Sequence, residues 1–314
     1  MSVPTKFVLQ QGPALRGMGE TAANALKQRL GIAKKNGAPP ELPGPEVTQT
    51  FAPRDRDLVR AYAKHVGGDP SAYKRRLPAH LFPQWAFALT GKSLEGLDYP
   101  MLGAMNGGCR LIQNAPLPID EPLEVSSRLE SIDDDGRRAI LEQRVVTSTP
   151  SAPEAVVAHL YIFVPLAKKK ANGAPSKDGA KKDKPRVPDQ AREIAFWRLR
   201  QDAGLDFAKL TGDFNPVHWV PAYAKAFGFR NTILHGFGTM ARAIEGLNRG
   251  LFAGDVDALK EVHVRFTRPL VLPAKVGLYV HDHQLFVGDA PGGPAYLTGT
   301  YTTDTGSTDT DTTR

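Results

Sequence analysis

The feature that most constrains this chain is that it resembles itself. The run AYAKHVGGDP at residues 61–70 resembles DFAKLTGDFNP at residues 206–216, and CRLIQNAPLPIDEPLEV from Cys109 resembles VRFTRPLVLPAKVGLYV from Val264. A repeat of roughly 120 to 140 residues is too long for a solenoid unit and points to a duplicated domain. In the first half, residues 57–66 and 79–89 read as helices, the second interrupted by Pro83. Strand-like runs follow at 108–114, 123–132, 138–147 and 155–164. The second half returns to the same order, with a strand at 193–198, a long helix after Gly236 and strands at 259–266, 274–283 and 295–303. The turn Asp133-Asp134-Asp135-Gly136 between two alternating runs signals a hairpin, because Asp-Gly tolerates the positive φ that tight hairpins need. Sequential hairpins imply antiparallel pairing, so the expected class is α+β.

Composition narrows the alternatives. A chain of 314 residues with 41% hydrophobic and 8% aromatic residues has the make-up of about two ordinary globular domains. Its longest apolar runs, such as 155–165, fall short of the roughly 20 residues of a membrane span, so a soluble chain without stable membrane insertion is expected. The N-terminus lacks the succession of a secretory signal, and the single cysteine, Cys109, has no internal partner, which fits a cytoplasmic location. Cys109 sits in a strand-like run with no activating neighbour and is read as a packed strand residue rather than a nucleophile. The net charge of +7 would suggest nucleic acid, but residues 168–186 hold eight basic and two acidic side chains and so account for +6 of it. That run has no aromatics to stack on bases and reads as a solvated linker, with no nucleic-acid partner expected. The organisation expected is an N-terminal extension at 1–46, serving as a tether with a short helix near 21–35. After it come a first domain at 47–166, a basic flexible linker at 167–188, a second domain at 189–303 and a polar tail at 304–314.

Chemistry concentrates at 206–236. Asp213 stands five residues before His218, with Gly212, Asn215 and Pro216 breaking up the backbone around them. Such residues supply or tolerate turn angles, so both side chains are expected on a rigid loop. A carboxylate and an imidazole held together can bind a water and move its protons. His235-Gly236 opens a run with helical spacing at Met240, Ile244 and Leu247. A helix N-terminus offers free amides, and Gly236 has no side chain to obstruct an approaching carbonyl, so it can serve as an oxyanion hole. His235 itself is read as organising the helix entry. The first half has Gly68 where Asp213 would fall and no histidine at the spacing of His218, so only the second half can use this constellation.

The residues FAKLTGDFNPVH, followed by AKAFGF and ILHGFGTMA, resemble the MaoC-like or hydratase 2 group of (R)-specific enoyl-CoA hydratases and 3-hydroxyacyl thioester dehydratases. The resemblance implies two tandem hot-dog domains, each an antiparallel sheet wrapped around a central helix, packed as a pseudo-dimer in which one half is degenerate. It further implies reversible hydration of trans-2-enoyl thioesters, with Asp213 and His218 as the catalytic pair, Asn215 orienting the water or the pair, and the Gly236 amide holding the thioester oxygen. The substrate handle would be coenzyme A or acyl carrier protein, with no cofactor and no metal, in a monomer or homodimer. Thioester hydrolysis, or a non-catalytic acyl-thioester-binding module, is the alternative. In this picture the first half lines an acyl tunnel with apolar residues from 81–89.

Other motifs carry less. Gly236-Phe237-Gly238-Thr239-Met240-Ala241 formally matches a dinucleotide fingerprint, but no strand-helix alternation follows it. His281 and His283 are expected on one face of an exposed strand end, without a cluster to make them metal ligands.

Overall fold

A computed structural model describes residues 2–29, 40–166 and 184–303. The first half comprises α1 (Gly12–Arg29), β1 (Val47–Phe51), α2 (Arg56–Val66), β2 (Arg76–Leu77), α3 (Pro83–Thr90), β3 (Met105–Gln113), β4 (Leu117–Pro118), β5 (Leu123–Asp134), β6 (Arg138–Thr149) and β7 (Ala152–Pro165). The second comprises β8 (Arg192–Leu199), α4 (Ala203–Thr211), α5 (Pro221–Ala226), α6 (Gly236–Gly250), β9 (Leu259–Phe266), β10 (Ala274–His281), β11 (Gln284–Gly288) and β12 (Ala295–Thr303). Ten of these strands make one antiparallel sheet in the order β1-β5-β6-β7-β3-β9-β12-β11-β10-β8, while β2 and β4 pair separately.

Each half of the sheet wraps a helix, which is the hot-dog arrangement. Strand alternation supplies the concave apolar face, as in β5, where Leu123, Val125, Ser127 and Leu129 point inward and their neighbours outward. In the first half, α3 packs against β1, β5 and β6; in the second, α6 packs against β8, β9, β11 and β12. Met240, Ala241, Ala243 and Leu247 of α6 are fully buried, and burying Met240 or Leu247 stabilises the fold by about 1.5–3 kcal/mol each. The helical run at 79–89 is broken at Pro83 as expected: a 3-10 turn (Ala79–Leu81) ends at Phe82, and Pro83 occupies the first turn of α3, where its missing N–H costs nothing.

The halves join where β3 pairs with β9, and Cys109 lies opposite Val264. These are the first residues of the two matching runs in the sequence. An antiparallel pair of equivalent strands places one residue against its own counterpart only at a two-fold axis, so the seam carries a pseudo-two-fold. Arg110 donates two hydrogen bonds across it to the Glu261 carboxylate, at 2.7 and 2.8 Å.

Four expectations need amendment. Residues 274–283 are not one strand: Asp282, at φ 51°, and His283 form a two-residue turn joining β10 to β11, so His281 and His283 do not share a strand face. The extension is no loose tether in its described part. A 3-10 helix (Thr5–Gln11) leads into α1, and Val3, Phe7, Gln11 and Ala14 are buried. The expected helix at 21–35 begins earlier, at Gly12, and its residues 30–35 lie outside the described residues. Of the basic linker, residues 167–183 lie outside the described residues, as does the tail at 304–314. Val187, expected in the linker, is buried and exchanges hydrogen bonds with Gly292 and Gly293, because the loop before β12 offers it a paired edge.

Candidate active site

The helix α4 ends at Thr211 because Gly212 takes the left-handed conformation, φ 82°, and its amide bonds back to the Ala208 carbonyl. That reversal turns the chain outward and launches Asp213. A matching reversal ends α2 at Gly67, φ 91°, which is why the two sequences look alike there. After Asp213 the chain is held by local bonds. The Phe214 amide donates to the Gly212 carbonyl, and the Asn215 amide donates to Asp213 Oδ1 at 3.3 Å. The Asn215 side chain accepts from the Val217 amide at 3.2 Å and so caps the 3-10 turn Pro216–His218. Trp219 Nε1–H closes the loop onto the Phe214 carbonyl.

These turns bring together Asp213, His218 and a third residue, His235, with one polar atom of each within 4.8 Å of the others. His218 donates its Nδ1–H to the Ile233 carbonyl at 2.9 Å, which fixes the neutral tautomer and leaves the Nε2 lone pair free. His235 stacks on His218 with ring centroids 3.6 Å apart, and Phe207 closes its flank at 4.8 Å. His235 Nε2–H donates to the Asp213 carbonyl at 2.9 Å, tying the N-cap of α6 to the Asp213–His218 loop. The expectation that His235 organises the helix entry fits this placement; that it would also pack against His218 was not foreseen.

Electrostatics follow from burial. Desolvation pushes the Asp213 carboxyl above its usual range, against the opposing pull of His218 and the Asn215 amide. Desolvation likewise holds His218 below the ordinary imidazole value, against the pull of Asp213, and lowers His235 still further. Burial thus disfavours the charged form of both groups; with Asp213 ionised and His218 neutral, the pair presents two acceptors.

The three side chains also have the composition of a metal site, and their geometry argues against one. A metal ion lies in the plane of each imidazole that binds it, whereas the rings of His218 and His235 are stacked at 25° and 3.6 Å. His235 Nε2 and His218 Nδ1 are already committed to carbonyl groups.

Gly236 begins α6, whose first-turn amides have no helical acceptors. A Cβ at Gly236 would lie 2.7–2.9 Å from the ring of Phe266, so glycine lets that ring and the helix end approach. The structure thus gathers Asp213, His218 and Gly236 around one loop and one helix end, whereas the Asn215 side chain is turned to its own cap.

The corresponding place in the first half is filled. A Cβ at Gly68 would lie 2.4–2.6 Å from the Glu245 carboxylate, which α6 sends across the interface. Glu245 Oε1 accepts from Tyr73 Oη at 2.6 Å and lies 3.0 Å from His80 Nε2, while Tyr62 Oη is within 3.0 Å of His80 Nδ1. Nothing in the local sequence of either half signals this cluster, because its members are up to 183 positions apart only in the chain and adjacent only through the fold.

Comparison with known proteins bears on the family and the fold. Residues 180–284 match the family described as MaoC like domain. That stretch is similar to a MaoC-like domain. The "3-hydroxyacyl-thioester dehydratase X" of Mycobacterium tuberculosis is 29% identical over 248 residues, covering 77% of this chain and 82% of that protein. The "Probable enoyl-CoA hydratase 2" of Dictyostelium discoideum is 24% identical over 191 residues, covering 60% and 64%. Among solved structures, HtdX of M. tuberculosis superposes with a TM-score of 0.64 at 24% identity, over 82% of this chain and all of that one. A further M. tuberculosis protein, described as having a double hot-dog fold, gives 0.53 at 11% identity over 82% and 94%. These structures establish the fold. The matched stretch contains the whole Asp213–Gly236 constellation, and the tandem layout extends the likeness into the first half.

Proposed function

We propose that the chain is a hydro-lyase that reversibly adds water to trans-2-enoyl thioesters, giving (R)-3-hydroxyacyl thioesters. The observation that carries this reading is the pairing of two acceptors, the Asp213 carboxylate and the free Nε2 of His218, beside the amide of Gly236. Relatives named as a hydroxyacyl-thioester dehydratase and as an enoyl-CoA hydratase support the reaction class. A water donating one hydrogen to each acceptor directs its oxygen lone pairs outward, toward the β-carbon. The Gly236 N–H, at the positive end of α6, takes up the charge that develops on the thioester oxygen as the enolate forms. One member of the pair removes a proton from water, and the pair returns one to the α-carbon. Either assignment gives the same balance, with one O–H broken and one C–H formed. The Asn215 side chain acts through the loop rather than on the water, since its oxygen is used by the Val217 amide.

Both additions come from the same dyad and so reach the same face of the double bond. In deuterium oxide the product is therefore expected to be the (R)-3-hydroxyacyl thioester with deuterium added syn. Release of free thiol without a 3-hydroxy product would make the enzyme a thioesterase, and anti addition would require a second proton donor. No helix among the described residues is long and apolar enough to cross a membrane. Cytoplasmic location, coenzyme A or acyl carrier protein as the handle, and an acyl path lined by Leu81, Phe82 and Leu89 of the first half complete the proposal.

A further inference from the structure

Residues 2–17 lie outside the MaoC-like match and outside the duplicated layout, yet they are packed like core. Val3, Phe7, Gln11 and Ala14 are buried along a run that is non-helical at Val3, 3-10 helical over Thr5–Gln11 and α-helical from Gly12. That run lies on α4 and α3. Near the start of α4, Val3 N–H and Ser2 Oγ–H each donate to Asp206 Oδ1 at 3.0 Å, and Lys209 Nζ reaches the Val3 carbonyl at 2.9 Å. At its other end, Gln11 Nε2–H donates to the Lys209 carbonyl at 3.1 Å, among the last-turn carbonyls that a helix leaves unpaired. Gln11 Oε1 accepts from Gln84 Nε2 of α3 at 3.1 Å, and Gln84 is held in turn by Arg54. Ala14 Cβ lies 2.6 Å from where a Cβ of Gly212 would be. Farther along, a Cβ on Gly17 would meet the Phe87 carbonyl at 2.7 Å, so α1 also lies directly on α3.

The helix that launches Asp213 is thus gripped at both ends by one short segment that also touches the first half. We infer that residues 2–17 belong to the working scaffold of the active site, with Gln11 and Ala14 as positioning residues that fix Gly212 and, through it, the Asp213 carboxylate against His218. The inference rests on the hydratase reading for its kinetic consequence, and on packing alone for its structural one. A carboxylate displaced by an ångström costs on the order of 100-fold in rate when geometry is the source of catalysis. Gln11 is suited to the task because it is fully buried and each end of its amide is spent on a different half of the molecule.

The test is Gln11→Met in the full chain, which keeps the volume and removes the side-chain hydrogen bonds to Lys209 and Gln84, together with the one to the Phe7 carbonyl of its own segment. The expected result is a kcat at least roughly tenfold lower with KM within about twofold, together with faster amide exchange at residues 213–215. A lowered Tm with kcat and that exchange unchanged would overturn the inference and leave the segment merely structural. Should Gln11→Met fail to fold, Ala14→Gly removes only the methyl against Gly212, and the same two outcomes decide. A wild-type chain that hydrates no enoyl thioester would sink the functional reading alone, since exchange at 213–215 still reports the positioning.

Discussion

At the scale of residues, Asp213 and His218 are held where their charged forms are disfavoured. A folded-state pKa of Asp213 above the ordinary value means that protonation stabilises the fold, and that this contribution is lost as pH rises through the folded value. At neutral pH the ionised carboxylate is therefore a burden on stability, and Asp213→Asn should have a Tm equal to or above wild type while losing roughly 10²- to 10⁴-fold in hydration rate. Because catalysis needs the carboxylate ionised and His218 neutral, activity should rise with pH along an acidic limb that lies above the ordinary carboxylate range and belongs to the coupled pair. A pH–rate profile whose acidic limb sits at the ordinary Asp value would contradict that. At Gly236, an added methyl meets Phe266, so Gly236→Ala should cost about 10²-fold in kcat, and pairing it with Phe266→Ala should recover part of the loss. Both variants are read from steady-state kinetics. The pair itself was legible because Gly212, Asn215 and Pro216 are turn formers whose presence around an acid and a histidine has few other uses. The contact of His235 with His218 was not, since it depends on how far α6 approaches the loop.

At the scale of elements, most strands were legible from alternation and turn chemistry, as with the Asp135-Gly136 hairpin, where Gly136 takes φ 76°. The short strands β1 and β11 were missed. The turn before β11 contains Asp282 and His283 rather than the Asn-Gly or Asp-Gly that marks a tight hairpin, and β1 is only five residues long with a single buried residue, Phe51. Helix α6 was recognised as the carrier of Gly236, but its second role, sending Glu245 into the vacated site of the first half, was not. Removing that carboxylate leaves the buried donors of Tyr73 and His80 unpaired, so Glu245→Ala should lower stability by roughly 3 kcal/mol, checked by denaturant unfolding with an unchanged m-value. Glu245→Gln, which retains an acceptor, should lose less.

For the whole molecule, the repeat legible in the sequence is the origin of the seam at Cys109 and Val264, where strands of the two halves complete one sheet. Cys109 is fully buried at that seam, and burial pushes its thiol pKa up, so a thiol reagent should label it only as fast as the chain unfolds. Rapid labelling of the native protein would mean that the halves part readily. The same pseudo-symmetry asks whether one chain holds one working site or two. With the Glu245 carboxylate packed against Gly68, where a second aspartate would be, we propose one working site per chain, in the second half. The direct measurement is the loss of conjugated-enoyl absorbance on mixing the enzyme with a series of trans-2-enoyl thioesters, wild type against Asp213→Asn. The account predicts that wild type hydrates and that Asp213→Asn, folded and equally stable, does not. Hydration by Asp213→Asn at the wild-type rate, or at half of it, would contradict it.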